Sequence, residues 1–295
     1  MLDRSSKSVR VLGNCQVGGL TAALKLLVPD VKFSRKLVTG ERGKLKRELS
    51  KLSRRKLMIQ DSVLRIVLSD ETLQELLPKE YIVYPTITFS AFHPDTQYIF
   101  CEERVIKNGL GGDWNSRIIV WSYLNNVPEN QVVGLFRKDA FEKLGYLDDW
   151  SMSSTGLHTA FEACGLDFSL WLRGVQRKGN FMYGINHPAP IGLAYLAQQI
   201  SSQHFPTHLQ TVEDVHEKTK DYLSHIIWPV YPEIAEEFGL EGDYQWRQGK
   251  RRANLLEFIQ QCYQFWDEIG LRNLDISHVP DTKGSDDLVL QLMVS

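Results

Sequence analysis

Cysteine is scarce in this chain: four in 295 residues, at Cys15, Cys101, Cys164 and Cys262, with no CxxC and no paired spacing. That argues against a disulfide framework or a cysteine-built zinc site and fits a reducing compartment. No stretch approaches 18 apolar residues, so no transmembrane helix is expected. The polar segment Met1–Ser8 lacks the apolar core of a signal peptide, and a cytoplasmic protein follows as the expectation. Net charge is only −2, which leaves no global electrostatic case for nucleic acid or a membrane surface. Internal repeats and low-complexity tracts are missing too.

What remains is ordinary for a globular protein, with 43% hydrophobic and 24% charged residues. Its length suits one large domain, or an α/β core over 1–190 carrying the site with a helical extension over 191–295. Short apolar runs at 9–13, 57–60 and 81–85, with a weaker one at 97–100, read as strands. Helical patterns lie between them at 17–27, 42–54 and 70–77. The last is capped by Ser69 or Asp70 and stopped by Pro78. This alternation predicts a parallel sheet wrapped by helices, with its ligand crevice beyond the carboxyl ends of the strands. Helices are expected to dominate from 114 onward, at 114–125, 137–146, 154–163, 167–176, 190–203, 211–227, 231–238 and 249–269. A short extended piece at 181–185 precedes Asn186-His187-Pro188. Thr211-Val212-Glu213-Asp214 resembles a capping box with Asp214 in place of Glu or Gln. The tail 280–295 reads as a polar linker with an apolar end.

The sharpest local signal is Gly13-Asn14-Cys15-Gln16, between a β-branched run and the helical pattern 17–27. A cysteine at a helix start meets unpaired backbone N–H groups, which should lower its thiol pKa and could receive an oxyanion. The same position equally suits a small buried residue at a strand–helix junction. Gln60 and Asp61 end the second predicted strand, and Thr86–Asp95 follows the third, so polar residues converge at three strand ends.

Residues 42–56 hold eight Lys or Arg, including Arg54 and Arg55, and Arg35 and Lys36 lie just upstream. This run is either a solvated face or an anion-recognition surface for a phosphorylated ligand. Aromatics are not interleaved, which weighs against nucleic acid. His93-Pro94 and His187-Pro188 each set an imidazole before a proline that favours extended geometry, as a general base or as a structural hydrogen-bonding group. His204 and His208 have a metal-ligand spacing, but Pro206 interrupts it and no HExxH follows, so no metal is expected. Gly109-Leu110-Gly111-Gly112-Asp113 lacks the GxGxxG and GxxxxGKS/T patterns and reads as a flexible loop.

The combination of GNCQ after the first strand, Gln60, Tyr84-Pro85, His93-Pro94-Asp95 and Asn186-His187-Pro188 resembles the WcbI-like family of capsular-polysaccharide biosynthesis proteins, over roughly 9–200. The resemblance implies an SGNH-hydrolase-like parallel sheet flanked by helices, with a large, mainly helical C-terminal part. It implies a coenzyme A cosubstrate and transfer of an acetyl group to a sugar hydroxyl of a surface polysaccharide. The acceptor would be a carbohydrate or nucleotide sugar. Cys15 would be the active-site cysteine, with Asn14, Gln16 and Gln60 lining the site. The family pairs its cysteine with a histidine, yet no histidine lies between Cys15 and His93. His93 and His187 therefore stand as base candidates, with Asp61 as a substitute. Arg35, Lys36, Arg54 and Arg55 are the candidate cofactor-binding cations. An esterase or thioesterase with a cysteine nucleophile, and a non-catalytic coenzyme A- or nucleotide-sugar-binding protein, are the alternative readings.

Overall fold

A computed structural model describes residues 8–38, 40–52, 56–102, 104–205 and 211–276. The described chain forms two compact units, each assembled from three stretches of sequence. One comprises residues up to Thr88, Ser154–Met182 and Asn186–Ser224; the other comprises Phe89–Ser153, Tyr183–Ile185 and the chain from His225 onward.

The first unit is built on a four-stranded parallel sheet. Its strands are β1 (Ser8–Gly13), β2 (Lys32–Leu37), β3 (Lys56–Gln60) and β4 (Tyr81–Tyr84), in the order β2-β1-β3-β4. Helices α1 (Val17–Leu27), α2 (Arg42–Leu49), α3 (Asp61–Leu68) and the short α4 (Glu71–Gln74) connect them. The apolar runs at 9–13, 57–60 and 81–85 account for three of the strands. The fourth, β2, is a surprise because Lys-Phe-Ser-Arg-Lys-Leu reads as a charged segment. It is an edge strand, where charged side chains keep the open edge from pairing with another chain. The piece at 97–100 does not join this sheet; it contributes to two short antiparallel pairings in the second unit.

Packing on the sheet follows the strand period. Leu12, Leu57 and Ile59 cluster with Leu45 and Leu49 of α2, Val63 and Val67 of α3, and Leu73 of α4. Each such burial is worth about 1.5–3 kcal/mol. Arg10 also reaches α2, where the buried Glu48 accepts from its guanidinium at 2.7 Å. Asp70 caps α4, accepting from the amides of Thr72 and Leu73.

In the second unit, the carboxylate of Asp95 is fully buried and accepts from Tyr146 Oη at 2.9 Å, Tyr231 Oη at 2.8 Å and the Ile118 amide at 3.1 Å. Tyr231 stacks on Phe141, and Trp246 stacks on Phe258. Helical patterns at the end of the chain prove too generous. The 211–227 pattern yields only Val212–Lys218, and the 249–269 pattern only Leu255–Glu268. Between them runs a three-stranded antiparallel sheet of Ile226–Ile227, Trp246–Gln248 and Arg251–Ala253. At Thr211 the hydroxyl accepts from the Asp214 amide, but Asp214 takes the Thr211 hydroxyl at 2.7 Å in place of the reciprocal backbone bond. Its side chain is one methylene shorter than the glutamate of a capping box.

Candidate functional site

The chain leaves β1 for β2 on one side, then returns to β3 on the other. The carboxyl ends of β1 and β3 therefore flank the point where strand order reverses, the usual crevice of an open parallel sheet. Gly13-Asn14-Cys15-Gln16 occupies one side and Gln60-Asp61 the other.

Asn14 and Gln16 hold this turn in place. The Asn14 amide donates to Gln60 Oε1 at 2.7 Å, and Asn14 Oδ1 accepts from the Gln16 amide at 3.0 Å. Gln16 is almost fully buried, and all four of its side-chain hydrogen-bonding positions are used. Its Nε2 donates to the carbonyls of Ile87 (2.7 Å) and Asn186 (3.0 Å). Its Oε1 accepts from the Ile87 amide (3.1 Å) and from Gln60 Nε2 (3.3 Å). Tyr84 Oη donates to the Leu12 carbonyl at 2.8 Å. A Cβ at Gly13 would run into that phenol and approach Gln60 Oε1 to 2.9 Å, so only glycine admits this approach. Asp61, the first residue of α3, accepts at Oδ1 from the Ser62 amide (2.6 Å) and from the amide (2.8 Å) and hydroxyl (2.5 Å) of Thr86. One braced network thus joins the ends of β1, β3 and β4 to the segment bearing His187.

Cys15 is half-buried, its Sγ 3.9 Å from Asn14 Oδ1. Its thiol departs from the sequence expectation. Burial pushes the pKa up to about 11, although the backbone amides of Cys15 and Gln16 pull the other way. The amides act in the expected direction; desolvation outweighs them. No side chain caps α1 and no acidic residue lies in its first turn, although the Gln16 amide already donates to Asn14 Oδ1 and the Val17 amide to the Asn14 carbonyl.

The candidate histidines occupy different units. His187 is buried in the first unit, next to Asn186, whose carbonyl is tied to Gln16. His93 belongs to the second and is buried there, its Nε2 donating to the Trp228 carbonyl at 3.0 Å. Burial lowers the pKa of His93 to about 3, which holds its ring neutral.

Among the cations, Lys36 pairs with the buried Glu48 at 3.8 Å. Arg54 and Arg55 lie outside the described residues. Arg35 donates to the Gly18 carbonyl in the first turn of α1 at 3.2 Å and stacks on Tyr222, 4.3 Å from the ring centroid. Lys220 Nζ also approaches that ring, at 5.2 Å. Hydrogen bonding from Arg35, aided by the charges of Arg35, Lys220 and Lys25, lowers the Tyr222 pKa. Among the described residues, none of these three cations is ion-paired with a carboxylate. Tyr222 and Lys220 carry no motif and are distant from Arg35 in sequence, so only the fold reveals their meeting. The described residues include no His, Cys, Asp and Glu group able to hold a metal ion.

The family model of the polysaccharide biosynthesis enzyme WcbI matches residues 8–205. The chain belongs to that family. The matched segment contains all four strands of the parallel sheet and both the Cys15 turn and the His187 segment. Membership of the WcbI family assigns it an enzyme's role in polysaccharide biosynthesis. Neither a curated protein nor a solved structure matches the chain. No helix among the described residues is long and apolar enough to cross a membrane.

Proposed function

We propose that this WcbI-family member transfers an acyl group, acetyl by expectation, from a coenzyme A thioester to a sugar hydroxyl of a surface polysaccharide or its precursor. The observation that carries the reading is the Gln16 brace, which fixes the Cys15 turn at the strand-order reversal and ties it to the residue beside His187. An SGNH-hydrolase-like reading of the sheet accords with a nucleophile on the turn after β1.

A thiol with a pKa near 11 is almost wholly protonated at neutral pH, so its proton must leave as its sulfur attacks. In this reading His187 takes the Cys15 proton while Sγ bonds the acyl carbon, and the proton then passes to the departing thiolate. The sugar hydroxyl next gives its proton to His187 and its oxygen attacks the acyl carbon. Cys15 Sγ leaves and is reprotonated. First-turn amides of α1 beyond Val17, whose own amide donates to the Asn14 carbonyl, would receive the oxyanion of each tetrahedral intermediate. The cosubstrate supplies an activated acyl group and phosphates, and the Arg35, Lys220 and Lys25 cluster against α1 fits those phosphates by charge.

The raised Cys15 pKa also favours a second route, in which His187 activates the sugar hydroxyl for direct attack on the thioester. An esterase would use the same groups with water as acceptor. Calorimetric titration with coenzyme A separates the transferase readings from the esterase. The transferase should bind it, with affinity falling at least about tenfold in Arg35→Ala and with rising salt. Absence of coenzyme A binding would contradict the proposal.

A further inference from the structure

The helix Leu255–Glu268 begins at a full capping box between Asn254 and Glu257 and buries Phe258, Ile259, Cys262, Tyr263 and Trp266. A second stripe, Gln261, Gln264, Phe265 and Glu268, follows the i, i+3, i+4, i+7 spacing of one helix face. Three of these residues are polar, and Phe265 stands half-exposed among them. The stripe lines a cavity of about 430 Å³ in the second unit, together with Arg251 and the loop from Asn108. That volume is within the 300–1,000 Å³ range of small-ligand sites.

The opposite wall, the glycine-rich loop, is tied by hydrogen bonds of Asn108. Asn108 Oδ1 accepts from the Leu110 and Gly112 amides at 2.9 and 3.0 Å, and its Nδ2 donates to the Trp114 carbonyl at 2.7 Å. A Cβ at Gly109 would collide with the backbone of Gln261 and Cys262, so glycine there seats the loop on the helix. Arg251 Nη1 donates to the Leu110 carbonyl at 3.2 Å, and Gln264 Nε2 orients Glu268 Oε1 at 3.0 Å.

We infer that this cleft binds a neutral saccharide unit of the polymer or precursor on which the enzyme acts. A pyranose offers a face of C–H groups and a rim of hydroxyls that both donate and accept. The cleft offers a half-exposed aromatic face for the first. Two primary amides, a carboxylate and a guanidinium meet the second. One cation and one anion leave no net field for a phosphate dianion. The polar stripe is equally ill-suited to an acyl chain. Gln261 to Glu268 and Arg251 lie beyond the matched family segment, and the loop from Asn108 lies within it. The choice of ligand class rests on the role in polysaccharide biosynthesis; the site itself does not depend on Cys15 chemistry.

The test is binding of the full chain to an array of neutral hexose and N-acetylhexosamine oligosaccharides, followed by calorimetry on those retained. Phe265→Ala and Gln264→Ala should each weaken retention about tenfold or more, and Cys15→Ser should leave it unchanged. Gln264 is exposed, so its variant keeps the test valid if Phe265→Ala melts early. No retained glycan, or retention indifferent to both substitutions, would overturn the inference. So would retention lost in Cys15→Ser but kept in Gln264→Ala. A protein that fails to bind coenzyme A yet passes this test would refute only the acyl-transfer reading.

Discussion

Cys15 illustrates how two effects of one position compete. Its turn sits where backbone amides stabilise a thiolate, yet removing the sulfur from water raises its pKa to about 11. Alkylation by iodoacetamide, followed by peptide mass spectrometry, should therefore rise about tenfold per pH unit from pH 7 to 10 at Cys15. A plateau below pH 8 would show that the amides win. The residue signal GNCQ was legible in sequence because a glycine, a polar turn and a helical pattern are all local. The sign of the net pKa shift was not, since burial depends on distant segments.

At the scale of elements, the strands β1, β3 and β4 and helix α1 could be read from short apolar runs and a 3.6-residue period. Helix α1 matches its predicted limits, 17–27. Strand β2 escaped because an edge strand needs few apolar residues, and Lys32, Arg35 and Lys36 made it look like a solvated segment. The last helix was expected to start too early because Arg251–Ala253 pairs with Trp246–Gln248 as a hairpin before the Asn254 cap. The contacts of Gln16 with Gln60, Ile87 and Asn186 span much of the chain, so no local pattern could disclose them. Gln16→Ala would remove one hydrogen-bond partner each from the Ile87 amide and carbonyl, the Asn186 carbonyl and Gln60 Nε2. Urea unfolding should show a loss of about 2–4 kcal/mol. Gln60→Ala removes fewer bonds and should cost less.

Across the whole molecule, stability should depend on pH through His93. Its folded pKa, lowered to about 3, lies below the ordinary value of 6.5. Below pH 6.5 the unfolded chain takes up a proton that the folded chain refuses, so this contribution is full above 6.5 and declines as pH falls towards 3. The slope is about 1.4 kcal/mol per pH unit. Asp95 acts in the opposite sense: burial raises its carboxyl pKa, so its contribution is present at low pH and fades as pH rises above 3.8. Urea titrations from pH 7 to 4 should show a flatter decline in His93→Gln than in the unsubstituted protein. Equal slopes would mean that the buried imidazole is not the group responsible.

Cys15 is the residue proposed to carry the acyl group. Incubation of the protein with acetyl-CoA in the absence of any sugar, followed by rapid quench and peptide mass spectrometry, tests this directly. The peptide containing Cys15 should gain one acetyl group that vanishes in Cys15→Ala, accumulates more slowly in His187→Ala, and is discharged when acceptor is added. An active enzyme whose Cys15 stays unmodified at every time point would contradict the covalent route.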